Sequence, residues 1–140
     1  MKKMRTVLIT ALIALFAVLI PVNALAQDAK LEKAEAKLCK KIEGFINGLN
    51  NLDNLDVNCT YNEFYKTYNK AGKAYNKMVK AADKLENVAI KESVKAYNEL
   101  EDAVNLIDSE SWTSQDAKKV NKHVDNTSDI VTALQSMQCK

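Results

Sequence analysis

The chain has 140 residues with 20 basic and 18 acidic side chains, a formal net charge of +2, three glycines and one proline. This length fits one domain, and the scarcity of glycine, proline and strand-like alternation excludes a β-rich fold. Three of the basic residues lie within the first five positions, in a predicted leader whose removal takes the charge from +2 to −1. Overall basicity therefore gives no argument for nucleic-acid binding.

The first predicted element is a secretory signal peptide over residues 1–26. A basic start, MKKMR, precedes fifteen uncharged residues, TVLITALIALFAVLI, and an A-L-A triplet ending at Ala26 provides a cleavage site. The alternative is a membrane anchor, but Pro21 and Asn23 interrupt the apolar run before it reaches about 20 residues. The sequence predicts an exported mature domain over 27–140, periplasmic or extracellular, without a transmembrane span and typical of bacterial export.

Helical periodicity continues through the rest of the chain. The first predicted helix runs from Asp28 to Asn51, with apolar residues at helical spacing. After the linker DNLDVN, Thr60 and Glu63 have the spacing of a capping box, which places the start of the second helix at Tyr61.

The second helix carries a heptad pattern counted from Tyr61, and its core-facing positions hold no charged residue. The pattern weakens at Glu86 and Asn87, which predicts a turn there. A continuous helix over 61–108 is the alternative, because neither glycine nor proline marks the turn.

A third helix follows, and the loop DSESWTS precedes a fourth. Thr113 is the predicted N-cap of the fourth helix, with Asp116 at its third helical position. Four helices of about 20 to 26 residues joined by short loops predict an antiparallel, up-down-up-down four-helix bundle. The fold class is therefore all-α.

The three cysteines, Cys39, Cys59 and Cys139, allow one disulfide in an exported protein and lack the spacing of zinc or covalent haem sites. In an ideal bundle Cys59 and Cys139 lie at opposite ends, too far apart to bond. We prefer a bridge between Cys39 and Cys139 over one between Cys39 and Cys59. Cys59 is then the spare thiol and a possible route to a covalent dimer.

The tyrosines of the second and third helices form the first candidate site. Their rings are candidates for lining a pocket that holds a flat or amphipathic ligand, and the alternative is that they pack in the core with their hydroxyls at its rim. Gly72, a glycine inside a predicted helix, points to close helix approach or to room for a ligand. The candidate ligand-binding residues are Tyr65, Tyr68, Tyr75 and Tyr97.

A row of lysines on the opposite face of the second helix forms the second candidate site. Steps of four and three residues align them on one side, where they are either an ordinary solvated face or a surface for an anionic partner. Trp112 is either a packing residue at the start of the fourth helix or an exposed anchor for a partner. The candidate surface residues are Lys66, Lys70, Lys73, Lys77, Lys80, Lys84 and Trp112.

The sequence contains no recognisable motif for catalysis or for metal binding. His123 is the only histidine, no Glu-x-x-His pair is present for a di-metal site, and no nucleophile turn or phosphate loop occurs. We therefore expect no enzyme activity, no metal and no cofactor. The predicted function is an exported binding or envelope-associated module whose partner is an unknown protein or an anionic envelope component. The alternative is a periplasmic carrier of a small apolar or aromatic ligand.

Overall fold

The computed structural model describes residues 23–139, with side chains from 29 onward, and confirms the all-α fold. Four α-helices in this range form the antiparallel bundle, and two short 3₁₀ turns, Val88–Ile90 and Ser109–Ser111, lie in the second and third connections. The signal peptide predicted over 1–26 lies almost wholly outside the described residues, so its cleavage stays a prediction. The α-helices are α1 (Asn23–Asp53), α2 (Tyr61–Lys84), α3 (Lys91–Asn105) and α4 (Ser114–Gln138).

The core lies along the bundle axis and receives apolar side chains from all four helices. Helix α1 packs most closely against α2 and α4, and α3 packs against α4. Helices α1 and α2 approach each other closely at Gly48, where a Cβ atom would lie 2.9 Å from the Cα atom of Ala71. The largest fully buried apolar side chains are Phe45, Leu38, Ile42, Leu49, Met78, Leu100, Val124 and Val131.

The helix lengths differ from the expected range. Helix α1 has 31 residues. It extends past both predicted ends and runs through Gly48, because the contact with Ala71 offsets the low helix propensity of glycine. Helix α3 has only 15 residues and ends at Asn105. After it, the side chain of Asp108 accepts a hydrogen bond from the Glu110 amide and starts a 3₁₀ turn instead.

The turn predicted near Glu86 and Asn87 is confirmed, and the continuous helix is wrong. Glu86 takes a left-handed conformation with φ of 49°. The amide of Asn87 donates to the Ala82 carbonyl, and the amide of Glu86 donates to the Asp83 carbonyl. These two bonds form a Schellman motif, whose left-handed position usually holds glycine. Because glutamate occupies this position, the sequence does not mark the end of α2.

The predicted starts of α2 and α4 are confirmed. The Thr60 side chain accepts from the Glu63 amide at 3.1 Å, and the Glu63 carboxylate accepts from the Thr60 amide at 3.4 Å. At α4 the Asp116 carboxylate accepts from the Thr113 amide at 3.0 Å. Local hydrogen-bonding chemistry therefore fixes where α2 and α4 begin.

The disulfide between Cys39 and Cys139 is present, with their Cα atoms 5.7 Å apart. Cys139 is the C-terminal cap residue of α4, so this bridge fixes the end of α4 beside α1. The residues of α1 before Cys39 consequently lie beyond that end of α4. Cys59 is the free cysteine of the described chain.

Two polar side chains are buried between α3 and α4. The Thr127 hydroxyl donates to the carbonyl of His123, one turn earlier, at 2.7 Å, and it lies 3.3 Å from the carbonyl of Ala96. The hydroxyl of Ser93 is buried without a hydrogen-bond partner among residues 23–139. Thr127 therefore connects α4 to α3 by a polar contact inside an otherwise apolar interface.

Candidate functional site

The predicted row of six lysines lies on the solvent side of α2, and we call it the lysine stripe. All six side chains are exposed. The opposite side of α2 is occupied by the core residues Phe64, Tyr68 and Tyr75. Packing of that apolar side fixes the rotation of the helix, so the stripe faces outward. The stripe consists of Lys66, Lys70, Lys73, Lys77, Lys80 and Lys84.

A second polar row runs beside the lysine stripe. The three asparagines that follow the heptad tyrosines, Asn62, Asn69 and Asn76, are all exposed. They recur every seven residues, which is about two helical turns, so their amides share one side of α2 next to the lysines. We call these residues the asparagine row. The outer surface of α2 thus presents cationic groups flanked by neutral hydrogen-bonding groups.

The tyrosine cluster, Tyr68, Tyr75 and Tyr97, is buried in the core between α2 and α3. Tyr75 and Tyr97 stack with ring centroids 3.8 Å apart, and Phe45 packs against both at 5.4 Å and 5.8 Å. This separation leaves no space for a ligand ring between Tyr75 and Tyr97. The fourth candidate, Tyr65, is 42% exposed and lies at the edge of the cluster, with its ring centroid 6.1 Å from that of Tyr68.

Gly72 accommodates a tyrosine hydroxyl. A Cβ atom at this position would lie 2.9 Å from the Tyr97 hydroxyl oxygen, so the missing side chain leaves space for that oxygen. The sequence left open close helix approach or room for a ligand, and the structure shows neither: the space beside Gly72 is filled by this hydroxyl oxygen. The packed group comes from a side chain of α3.

Burial controls the acid–base chemistry of the tyrosine cluster. Burial raises the pKa of Tyr97 far above its ordinary value, and its hydrogen bond to Tyr68 raises it further. Burial also raises the pKa of Tyr68, and the hydrogen bond to Tyr97 partly offsets this rise. Burial raises the pKa of Tyr75, with a smaller contribution from the negative charge of Glu101. All three hydroxyls therefore stay protonated in the folded protein at a pH where free tyrosine ionises.

We expect the protein to lose stability above about pH 10, the ordinary pKa of tyrosine. The unfolded chain then releases protons that the folded tyrosine cluster retains, so rising pH favours unfolding. Absorbance at 295 nm should show that three tyrosines ionise only above the ordinary pKa of tyrosine. They should ionise at the same pH at which the helical circular dichroism signal is lost. In the variant Tyr97→Phe, the urea concentration at the midpoint of unfolding should fall less steeply as the pH rises. Full tyrosine ionisation with an unchanged helical signal would contradict this assignment.

Trp112 packs at the linker end of the bundle, where α2 and α4 begin. Its ring lies 5.0 Å from that of Phe64 and 5.7 Å from that of Tyr61, and its indole N–H donates to the Cys59 carbonyl at 2.8 Å. Trp112 is half-buried. It therefore has the packing role, connecting the α3–α4 loop to the α1–α2 linker, while its outer part stays open to solvent.

The thiol of Cys59 is partly buried beside Trp112. Burial, followed by the negative charges of Glu63 and Asp56, raises the pKa of the Cys59 thiol. A raised pKa reduces the thiolate fraction, which is the reactive form. A covalent dimer through Cys59 stays a prediction, and these surroundings make the thiol slower to react than a free cysteine.

A cavity of about 110 Å³ lies at the linker end, away from the tyrosine cluster. It is smaller than the roughly 300 Å³ at which small-molecule pockets begin. Asp53 lines it, and the carboxyl group of Asp125 on α4 hydrogen-bonds to Asp53, which raises the pKa of Asp125 together with burial and the charge of Asp129. Sequence reasoning missed this acidic pair, because it depends on how the end of α1 packs beside α4.

Neither metal sites nor membrane spans are found within residues 23–139. No group of three or more potential ligands from His, Cys, Asp and Glu is close enough there to hold a metal ion. None of the helices in this range has the length and apolar character needed to cross a bilayer. Comparison of the chain with protein-family models, curated proteins and solved structures returned no match.

Proposed function

We propose that the protein is an exported, non-catalytic binding module that contacts an anionic envelope component through the lysine stripe of α2. The observation that carries this proposal is the alignment of six exposed lysines on one side of a single helix. Six like charges in one row create a local positive potential even though the predicted mature chain has a net charge near zero.

The other candidate surfaces of the molecule are less suited to binding an anionic partner. The apolar side of α2 is occupied by the core, and the closely stacked tyrosines leave the predicted carrier function without a ligand space between them. The cavity at the linker end is small and has acidic side chains, Asp53 and Asp56, in its lining. Of the candidate surfaces, the lysine stripe is the one with both a regular pattern and free access.

The triple substitution Lys73→Glu, Lys77→Glu and Lys80→Glu tests the proposal. Each lysine near an anionic surface contributes about 1 kcal/mol, so removing three and adding three negative charges should weaken binding by at least about 100-fold. The measurement is retention of the purified protein on envelope fractions of a bacterium at low and physiological salt. Added salt should reduce the retention of the unmodified protein, since it screens exposed charges.

A matched control carries the same charge change on another helix. Lys118, Lys119 and Lys122 are exposed on α4, which lies diagonally across the bundle from α2. Changing these three to glutamate should leave retention within about threefold of the unmodified protein, because most of the local potential comes from nearby charges. Equal losses in both variants would show that only net charge matters, and unchanged retention in the α2 variant would remove the lysine stripe from the function.

A further inference from the structure

We propose that the anionic partner of the lysine stripe is a linear polysaccharide that carries one acidic group on each sugar and lies along α2. This inference rests on the proposed function and names the chemical class of its partner. Three features carry it: the straightness and spacing of the lysines, the asparagine row beside them, and the burial of the apolar side of α2.

The lysine stripe is straight and evenly spaced. Its alternating steps of four and three residues average about the 3.6-residue period of the helix, so the row runs parallel to the helix axis and does not wind around it. Successive lysines are separated by roughly 5 Å along the axis, and the row from Lys66 to Lys84 spans about 27 Å. One charge in each 5 Å is close to the length of a single sugar unit in an extended chain. A polymer with one carboxylate per sugar can therefore pair with successive lysines while remaining straight.

The asparagine row adds groups that recognise sugars. Asn62, Asn69 and Asn76 are exposed, and each amide offers both donors and an acceptor, which sugar hydroxyl groups can satisfy. Their spacing of about 10 Å along the axis is twice that of the lysines, so each asparagine is positioned next to every second sugar. A polymer of acidic groups without hydroxyls would use the lysines and leave these amides in water.

Burial of the apolar side of α2 argues against a membrane surface as the partner. Helices that lie on bilayers combine basic residues with an apolar face that enters the lipid. On α2 that face holds Phe64, Tyr68 and Tyr75, which are buried in the bundle. Tyr65 is the one large apolar residue of α2 that is substantially exposed. The stripe therefore offers charge and hydrogen bonds without insertion, which suits a hydrated polymer better than a lipid layer.

The test measures binding of the full chain, by calorimetry at fixed salt, to four probes. Polygalacturonate has one carboxylate per sugar, hyaluronate has one on every second sugar, polyglutamate has carboxylates without sugars, and the fourth probe is a phosphatidylglycerol vesicle. At equal carboxylate concentration, polygalacturonate should bind about tenfold more tightly than hyaluronate or polyglutamate. With polygalacturonate fragments, affinity should stop rising at about six sugars, the number that spans the stripe.

The triple variant Asn62→Ala, Asn69→Ala and Asn76→Ala separates sugar recognition from charge. It keeps every lysine and, because alanine favours helix, it should stay folded by circular dichroism. Loss of three exposed hydrogen-bonding groups should weaken polygalacturonate binding about tenfold and leave polyglutamate binding unchanged.

Each remaining outcome decides one of the two proposals. Equal binding of polyglutamate and polygalacturonate, or no effect of the asparagine variant, overturns the polysaccharide assignment and leaves the proposed function standing. Tighter binding to vesicles than to every polymer assigns the stripe to lipid and also overturns it. Absence of binding to all four anions rejects the proposed function itself.

Discussion

Removing the disulfide with the double substitution Cys39→Ala and Cys139→Ala should lower the free energy of unfolding by about 4 kcal/mol. The bridge closes a loop with a sequence separation of 100 residues, and long loops lose the most conformational entropy in the unfolded chain when they are closed. It also holds the last residue of the described chain against α1. Urea denaturation followed by circular dichroism gives the change in stability.

The matched control is Cys59→Ala, which removes the free thiol and keeps the bridge. We expect this variant to stay within about 1 kcal/mol of the unmodified protein, because Cys59 is only partly buried. Thiol titration of the unmodified protein under denaturing, non-reducing conditions should find one reactive group. Three reactive groups, or a double variant no less stable than the control, would contradict the assigned role of the bridge.

Replacing Gly48 with leucine should destabilise the protein by about 3 kcal/mol, since it overpacks a close contact between α1 and α2. The new Cβ atom would lie 2.9 Å from the Cα atom and 3.1 Å from the Cβ atom of Ala71. A backbone atom cannot rotate away as a side chain can, so the two helices would have to separate. Thermal and urea unfolding both measure the loss.

Gly44 provides the control, one helical turn earlier in α1. A Cβ atom there meets nothing within 4 Å. The substitution Gly44→Leu should therefore raise stability by up to about 1 kcal/mol through better helix propensity. Similar effects at Gly44 and Gly48 would show that helix propensity, and not the contact with Ala71, governs both positions.

The sequence predicted those parts of the fold that depend on local chemistry. The capping boxes at Thr60 and Thr113 require only side chains within the next three residues, so their spacing is visible in the chain. The apolar heptads identify which side of α2 is buried. For the disulfide, axial distances in an ideal bundle excluded the pairing of Cys59 with Cys139, and the preferred bridge between Cys39 and Cys139 is the one present.

The missed features depend on conformations or contacts that no local pattern marks. Glu86 adopts a left-handed conformation without being glycine, so the end of α2 had no clear signal. The hydrogen bond from Trp112 to the Cys59 carbonyl joins positions 53 residues apart. The acidic pair of Asp53 and Asp125 likewise depends on tertiary packing. Both contacts join residues that are far apart in the sequence and meet only in the folded bundle.

Of the candidate sites, one depends on local periodicity and the other on tertiary packing. The lysine stripe was predictable, because helical periodicity alone brings its residues together and the buried side of α2 turns them outward. The tyrosine spacing favoured a packed core over a pocket but did not fix which side chains pack there. That depends on tertiary structure, since Phe45 from α1 and Tyr97 from α3 lie beside Tyr75.

The sole tryptophan gives the linker end a natural fluorescent reporter. Trp112 stacks on Phe64 and bonds to the Cys59 carbonyl, so its emission changes when the two loops separate at that end. The opposite end is closed by a covalent bridge, which a reductant opens selectively. The effect of opening the disulfide end on the linker end can thus be followed through Trp112 in one unlabelled sample.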